Sequence, residues 1–160
     1  MTETLRLQIE LDDPRREDVV ALLRAHLGFA AAHTPAEDRH ALDVDGLLEP
    51  DMSLYSARDG EGTLLGVGAL KELDARHGEL KSMHTAAAAR GQGVGWAMLT
   101  HLLAVARARG YERVSLETGS MEAFAPARAL YASAGFVLCE PFAAYVPSRN
   151  NVFMQLAFTP

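Results

Sequence analysis

A glycine-rich segment, Arg90–Trp96, stands between an extended run of residues and the strongest helical pattern of the chain. Before it, apolar and polar residues alternate as in strands; after it, apolar residues recur at helical spacing until Gly110. Glycines let backbone N–H groups approach a ligand closely, and a helix N-terminus carries partial positive charge. The segment therefore predicts either an anion site suited to phosphate or a plain strand-to-helix loop, which glycines also favour.

The remaining patterns predict a mixed α/β (α+β) fold. Alternation over Leu5–Ile9 predicts a strand, and Asp13–Pro14 predicts the start of a helix that ends near Ala32. Thr34–Glu37 has the form of a capping box and predicts a second helix that ends before Pro50. Further strands are predicted at 52–58, 63–73, 79–85, 113–117, 136–139 and 151–158, and further helices from 94 and over 122–134.

These elements follow the order β-α-α-β-β-β-α-β-α-β-β, in which the three strands before the glycine-rich segment form an antiparallel meander. The order predicts a single domain, 1–160, with a mixed, mostly antiparallel sheet of about six to seven strands flanked by about four helices. The length of 160 residues, 49% of them hydrophobic, fits one globular domain.

Charge and cysteine content limit the partners. Residues 1–80 carry a net charge of −9 and residues 81–160 one of +3, so an anionic ligand is expected mainly on the second half. The overall acidity, without a Lys/Arg run, argues against nucleic-acid binding. No stretch approaches the ~18 apolar residues of a membrane span. Cys139 is the only cysteine, which excludes a CxxC zinc site and favours the reducing cytoplasm.

Two common phosphate-binding templates do not fit the glycine-rich segment. A P-loop has Lys followed by Ser or Thr after its last glycine, whereas Trp96 and Ala97 follow Gly95. A dinucleotide-binding fold has its third glycine where Trp96 stands, although Glu117 lies at a strand end as a ribose-binding acid would. Neither nucleotide-binding fold is therefore favoured.

A third template matches at two places. Arg90-x-x-Gly93-x-Gly95 after an extended strand resembles the acetyl-CoA-binding motif of the GNAT superfamily of N-acetyltransferases, and 127–136, with Leu-Tyr and Gly-Phe, resembles its second motif. The segments 79–83, 116–121 and 142–154 further resemble a subgroup of small bacterial acetyltransferases, some of them labelled indole-acetic-acid acetyltransferases. The resemblance covers essentially the whole chain. It implies the GNAT fold and direct transfer of acetyl from acetyl-CoA to a primary amine of a small molecule or peptide.

The resemblance also implies which residues bind acetyl-CoA. The turn amides would wrap the pyrophosphate, Arg90 would stabilise the loop or a phosphate, and Arg128 is a second candidate for phosphate contact. The strand before the turn would pair with the pantetheine arm, and its amides can polarise the thioester carbonyl. The implied cofactor residues are Met83, Thr85, Arg90, Gly91, Gln92, Gly93, Val94, Gly95 and Trp96. No metal is expected.

Catalytic roles are implied for two residues. A free alkyl amine with a pKa of about 10 is almost wholly protonated at neutral pH, so a base is useful. Glu79 lies at the spacing of the family's carboxylate base, and a regular strand places it on one face with Lys81, Met83 and Thr85; a solvated Glu after a turn is the alternative. Tyr131 matches the Tyr that protonates the departing thiolate in many members; a Tyr that only packs or bonds the sulfur is the alternative.

The acceptor pocket is less defined. Lys81, Thr118 and Tyr145 are its candidate residues. Phe124 stands where the family commonly has an Asn, which leaves the usual side-chain contact to the CoA arm open. Because of this departure, the alternative is a CoA-binding regulatory protein with the same fold and little or no turnover. The resemblance is also compatible with a homodimer.

Overall fold

The structure, a computed structural model, describes residues 6–39 and 43–159. The strands are β1 (Gln8–Leu11), β2 (Met52–Arg58), β3 (Leu64–Asp74), β4 (His77–Thr85), β5 (Arg113–Gly119), β6 (Val137–Leu138) and β7 (Asn151–Ala157). The α-helices are α1 (Glu17–His33), α2 (Val44–Leu47), α3 (Val94–Ala108) and α4 (Ala125–Ser133), and single 3₁₀ turns lie at Ala36–Asp38, Ala87–Ala89 and Glu122–Phe124.

The strands form one sheet in the order β1-β2-β3-β4-β5-β7-β6. Every neighbouring pair is antiparallel except β4 and β5, which are parallel and are connected through α3. A parallel pair needs such a crossover, because its two strands start at the same end of the sheet. The predicted fold class, a mostly antiparallel mixed sheet with about four helices, is confirmed.

Helices pack on both faces of the sheet. The α3 face is the larger core, in which Met98, Leu99 and Leu102 lie against strand residues such as Leu70 and Leu80. The α1 face holds a second cluster, whose buried residues are Val19, Leu23, Leu47, Leu54, Val67 and Ala69. The spacing of the buried α3 residues is the helical period that the sequence shows in this segment.

Two predicted helix starts are wrong. Helix α1 begins at Glu17 rather than near Pro14, because Asp13 Oδ1 accepts a hydrogen bond from the Arg15 amide at 2.9 Å and closes a turn instead. The predicted second helix is replaced by the 3₁₀ turn Ala36–Asp38 and the separate α2, which Asp43 caps. Residues 40–42 of that predicted helix lie outside the described residues, as does Leu5 of the first predicted strand.

Strand β4 contains a β-bulge. Val67 pairs with His84 and Ala69 pairs with Lys81, so Ser82 and Met83 together oppose the single residue of β3 between them. Ser82 adopts a positive φ of 55°. An extra residue on one strand breaks the alternation of side chains between the two faces.

Because of the bulge, the side chains of β4 are divided between the two faces of the sheet differently from the prediction. Lys81 and His84 are paired with α1-face residues of β3, and His84 lies against His26 of α1. Met83 lies on the α3 face, because its Sδ and Met98 Cγ would both lie 2.8 Å from a Cβ added at Gly68. The expectation that Glu79 and Lys81 share a face with Met83 and Thr85 is therefore wrong.

Strands β4 and β5 stay paired for only part of their length. His77–Leu80 pairs with Arg113–Leu116, and Leu80–Leu116 is the last pair in the register. Both strands continue beyond it, β4 to Thr85 and β5 to Gly119. The main chain of the sheet therefore has a gap between two neighbouring strands, and the bulge lies on one side of it.

Candidate active site

The gap opens into a cavity of about 580 Å³. On the α3 face its walls include Val94, Leu130 and Tyr131; on the α1 face they include His26 and Phe29. Because residues from both faces line one space, a ligand on one side of the sheet can meet a ligand from the other side through the gap.

Most of the predicted site residues meet in this cavity. Those that line it are Glu79, Lys81, Met83, Thr85, Arg90, Gly91, Gly93, Val94, Gly95, Trp96, Thr118, Tyr131 and Tyr145. Gln92 is not among the lining residues, and its side-chain amide donates to the Ala88 carbonyl at 3.4 Å. The predicted role of Gln92 concerned its main chain alone and stays a prediction.

The glycine turn leaves open space at the start of α3. Gly91 and Gly93 have φ of +78° and +84°, and apart from the glycine and its two chain neighbours no atom lies within 4 Å of a Cβ added at either. The N-cap of α3 is Gly93, which has no side chain to cap the helix. The first amides of an α-helix also lack intrahelical acceptors. Amides in open space at a helix N-terminus fit a phosphate.

The turn also lies close to the end of β4. A Cβ added at Gly95 would lie 3.3 Å from Leu130 Cδ2 and 3.7 Å from Thr85 Oγ1. The N-terminus of α3 is therefore next to the outer end of the gap, whereas the pair Leu80–Leu116 closes the inner end. An extended ligand anchored at the turn would run inward along β4.

Tyr131 of α4 is a buried cavity residue, 7% exposed. Burial raises the pKa of its hydroxyl to about 12. The phenol is therefore uncharged throughout the physiological range and is a hydrogen donor in this cavity.

Glu79 forms a buried polar cluster with Lys81 and Tyr145. Glu79 is only 2% exposed, so the alternative of a solvated Glu is wrong. Its Oε2 lies 3.2 Å from Lys81 Nζ and accepts a 2.5 Å hydrogen bond from the Tyr145 hydroxyl, to which Lys81 also donates at 2.6 Å. Burial, and next the Glu79 charge, raise the pKa of Tyr145. One carboxylate oxygen is thus held in fixed geometry.

Several cavity residues were not among the predicted site residues. His26 Nδ1 lies 3.3 Å from His84 Nδ1, and burial, followed by the neighbouring His84, lowers the pKa of His26 to about 4. Phe29 packs edge-on against Phe124 at 5.3 Å, and Glu117 lines the wall of β5. The spacing of His26 and Phe29 places them on one face of α1, but nothing in the sequence tells that this face meets the cavity.

Arg128 holds the loop after β5. Its Nη1 donates to the carbonyls of Gly119 at 2.7 Å and Met121 at 2.9 Å. The predicted contact of Arg128 with phosphate stays a prediction.

Residues 6–39 and 43–159 hold no group of three or more His, Cys, Asp or Glu side chains that could bind a metal ion. None of the helices in these ranges is long and apolar enough to cross a membrane.

Comparison with models of protein families identifies the family to which the chain belongs. Residues 16–136 match the model of the acetyltransferase (GNAT) family, which is most of the chain. The chain belongs to the GNAT family. The predicted membership is thereby confirmed.

Relatives support the same assignment over nearly the whole length. The chain is 49% identical over 148 residues to YsnE of Bacillus subtilis (strain 168), named as an uncharacterized N-acetyltransferase, covering 92% of this chain and 97% of YsnE. It is 34% identical to a protein of Azospirillum brasilense named IAA acetyltransferase, covering 92% and 95%. The predicted likeness to small bacterial acetyltransferases, one of them with this label, is confirmed.

Solved structures share the GNAT fold. A Klebsiella pneumoniae protein described as an acyl-CoA N-acyltransferase has a TM-score of 0.81 at 28% identity, covering 94% of this chain and 97% of that one. A Bacillus subtilis acetyltransferase in complex with CoA has a TM-score of 0.72 at 20% identity, covering 96% and 100%. The second likeness, at its lower identity, shows the fold alone.

Proposed function

We propose that this GNAT protein is an acetyl-CoA-dependent N-acetyltransferase that transfers acetyl directly to a primary amine of a small molecule or peptide in a ternary complex. The observation that carries the proposal is the single cavity that joins the glycine turn, the gap between β4 and β5, and the α1 face. Such a cavity admits a cofactor from one side and an amine from the other. The Bacillus subtilis acetyltransferase that shares this fold was solved in complex with CoA, which is in line with this choice of cofactor.

The cofactor fits the gap with its phosphates at the turn. The open space at Gly91 and Gly93 accommodates the pyrophosphate on the first amides of α3. From there the pantetheine arm would lie along β4 beyond Leu80, where the register with β5 has ended, and would pair with the strand through Met83 and Thr85. An amide of this strand would polarise the thioester carbonyl.

Residues that line the cavity account for the proton transfers of the proposed reaction. The amine nitrogen attacks the thioester carbon, a C–N bond forms, and the C–S bond breaks. The proton lost by the nitrogen passes to a water held by Glu79. The departing thiolate takes a proton from the Tyr131 hydroxyl, whose pKa of about 12 keeps it protonated beforehand. Solvent then returns a proton to the Tyr131 oxygen, and the proton held at Glu79 leaves to solvent, so that both side chains regain their starting state.

The acceptor would enter from the α1 face. There the carboxylates of Asp38, Glu79 and Glu117 outnumber the cations of Arg39 and Lys81. The rings of Phe29 and Phe124 provide an apolar wall. A cationic amine that carries an apolar group fits this combination. Thr118 and Tyr145 are the remaining candidate contacts. We place the protein in the cytoplasm, as a single domain, on the sequence grounds given above.

A CoA-binding regulatory protein is the second candidate. It is favoured by Phe124 in place of the common Asn and by the engagement of Glu79 Oε2 with both Lys81 and Tyr145.

The two candidate functions, transferase and regulator, are distinguished by the release of CoA thiol from acetyl-CoA, measured across a panel of alkyl, arylalkyl and peptide amines. Thiol release that depends on the amine supports the transferase. Acetyl-CoA binding without amine-dependent thiol release across the panel supports the regulator.

A further inference from the structure

Ser82 combines two unfavourable features at one position. It has φ +55°, a region that residues other than glycine rarely occupy, and Ala143 is the only other such residue in the described ranges. Its Oγ is buried and makes no hydrogen bond with any described residue, and the residue is 7% exposed. A buried hydroxyl without a partner and a strained backbone both oppose folding, so together they indicate a functional constraint.

The location of Ser82 indicates what the constraint is. Ser82 lines the cavity and follows shortly after Leu80, the last residue of β4 that pairs with β5. Because Thr85 lies next to the turn at Gly95, Ser82 is nearer than Met83 and Thr85 to the closed end of the gap. Asn151 Nδ2 is another buried polar atom without a partner, and Asn151 lines the same cavity. Two of the three buried side-chain polar atoms without a hydrogen-bond partner in the described residues, Ser82 Oγ and Asn151 Nδ2 but not Arg58 Nε, therefore belong to residues that line this cavity.

We propose that the Ser82 hydroxyl donates a hydrogen bond to the carbonyl oxygen of the acetyl thioester, as a second donor beside the main-chain amide of β4. This inference rests on the proposed function. An arm anchored at the turn and paired along Thr85 and Met83 brings its acyl end to Ser82, next to the cluster around Glu79.

The chemistry of the acyl group explains the two unfavourable features. The carbonyl oxygen becomes negative when the amine attacks, and a donor fixed in place beforehand stabilises that charge without having to reorganise. Ser82 lies in the bulge at positive φ, and its hydroxyl has no competing partner among the described residues.

Two substitutions test the inference. Ser82→Ala removes the hydroxyl, and Ser82→Gly removes the hydroxyl and relieves the backbone strain. We expect kcat to fall on the order of 10²-fold in both, with the affinity for CoA unchanged because free CoA has no acyl carbonyl. We also expect the melting temperature of the ligand-free protein to rise slightly in Ser82→Ala and further in Ser82→Gly.

Ser56→Ala is the matched control. Ser56 is also fully buried on a strand, but its hydroxyl donates to Asp12 Oδ2 at 2.6 Å and lies outside the cavity. This substitution is expected to lower the melting temperature and leave kcat unchanged, the opposite pattern to Ser82.

The outcomes separate the inference from the proposed function. Unchanged kcat in both Ser82 variants, while the wild type transfers acetyl, overturns the inference alone. So does an equal loss of affinity for CoA and acetyl-CoA, which would place the hydroxyl on the pantetheine arm, or a lowered melting temperature in Ser82→Ala, which would give it a structural role. Absence of amine-dependent thiol release in the wild type overturns both.

Discussion

Leu80 of β4 lies opposite Leu116 of β5 in the last pair of the only parallel junction within the described sheet. Up to this pair the two strands are joined as in any sheet. Beyond it they frame a gap with the bulge at Ser82 on one side and Thr118 on the other. The site follows from this local failure of strand pairing, because an extended ligand can take the place of the missing strand contacts.

Substitution of the glycine turn should abolish cofactor binding. Gly93→Val places a side chain in the space where the amides would meet the phosphates, at a φ of +84°. Gly62→Val is a close control, since Gly62 has φ +83° and equally open surroundings in the hairpin after β2. We expect acetyl-CoA binding, measured by calorimetric titration, to be lost only in Gly93→Val. Equal binding by both variants would refute the site.

Removal of the Tyr131 hydroxyl should slow the reaction with little effect on cofactor binding. Tyr131→Phe is expected to lower kcat on the order of 10²-fold, because the departing sulfur loses its hydrogen donor. Tyr111→Phe removes a buried hydroxyl that instead donates to Glu72 Oε1 at 2.9 Å, outside the cavity, and should leave kcat unchanged. A large loss of acetyl-CoA affinity in Tyr131→Phe would count against the donor role.

Glu79 should matter most where the amine is protonated. Glu79→Gln is expected to reduce kcat/KM strongly near neutral pH and progressively less as the pH approaches the amine pKa of about 10, since the free amine then needs no base. The measurement is the pH profile of both proteins with one amine. A constant ratio between the two profiles at every pH would assign Glu79 a structural role in its cluster with Lys81 and Tyr145.

Asp12 should make stability sensitive to acid. Burial acts to raise the pKa of Asp12, but hydrogen bonds from Ser56 and Arg58 outweigh it and bring the pKa to about 2. Because the pKa of Asp12 is lower in the folded than in the unfolded state, its ionised carboxylate stabilises the fold above pH ~4. This stabilisation is lost as the pH falls towards 2. We expect Asp12→Asn to lose on the order of 1 kcal/mol at pH 7 after solvent screening, and much less than that near pH 2. Chemical denaturation at both pH values measures this, and an equal loss at both would contradict it.

The sequence predicts the regular elements well and the site geometry only in part. Helix α3 shows the helical period clearly because its buried face is continuous, and the turn before it is recognisable because the positive φ values at Gly91 and Gly93 require glycine. The bulge is not recognisable, since the residues of β4 alternate as in a regular strand and serine gives no signal for positive φ. The partner of Glu79 is equally hidden, because Tyr145 lies 66 residues further along the chain.

Transfer of an isotopically labelled acetyl group from acetyl-CoA, followed in the protein and in an amine that supports thiol release, tests direct acetyl transfer most directly. Label should appear in the amine at the rate of thiol release and never in the protein, because the amine attacks the thioester itself. Label bound covalently to the protein before it reaches the amine would contradict direct transfer, and thiol release without labelled amine would contradict acetyl transfer altogether.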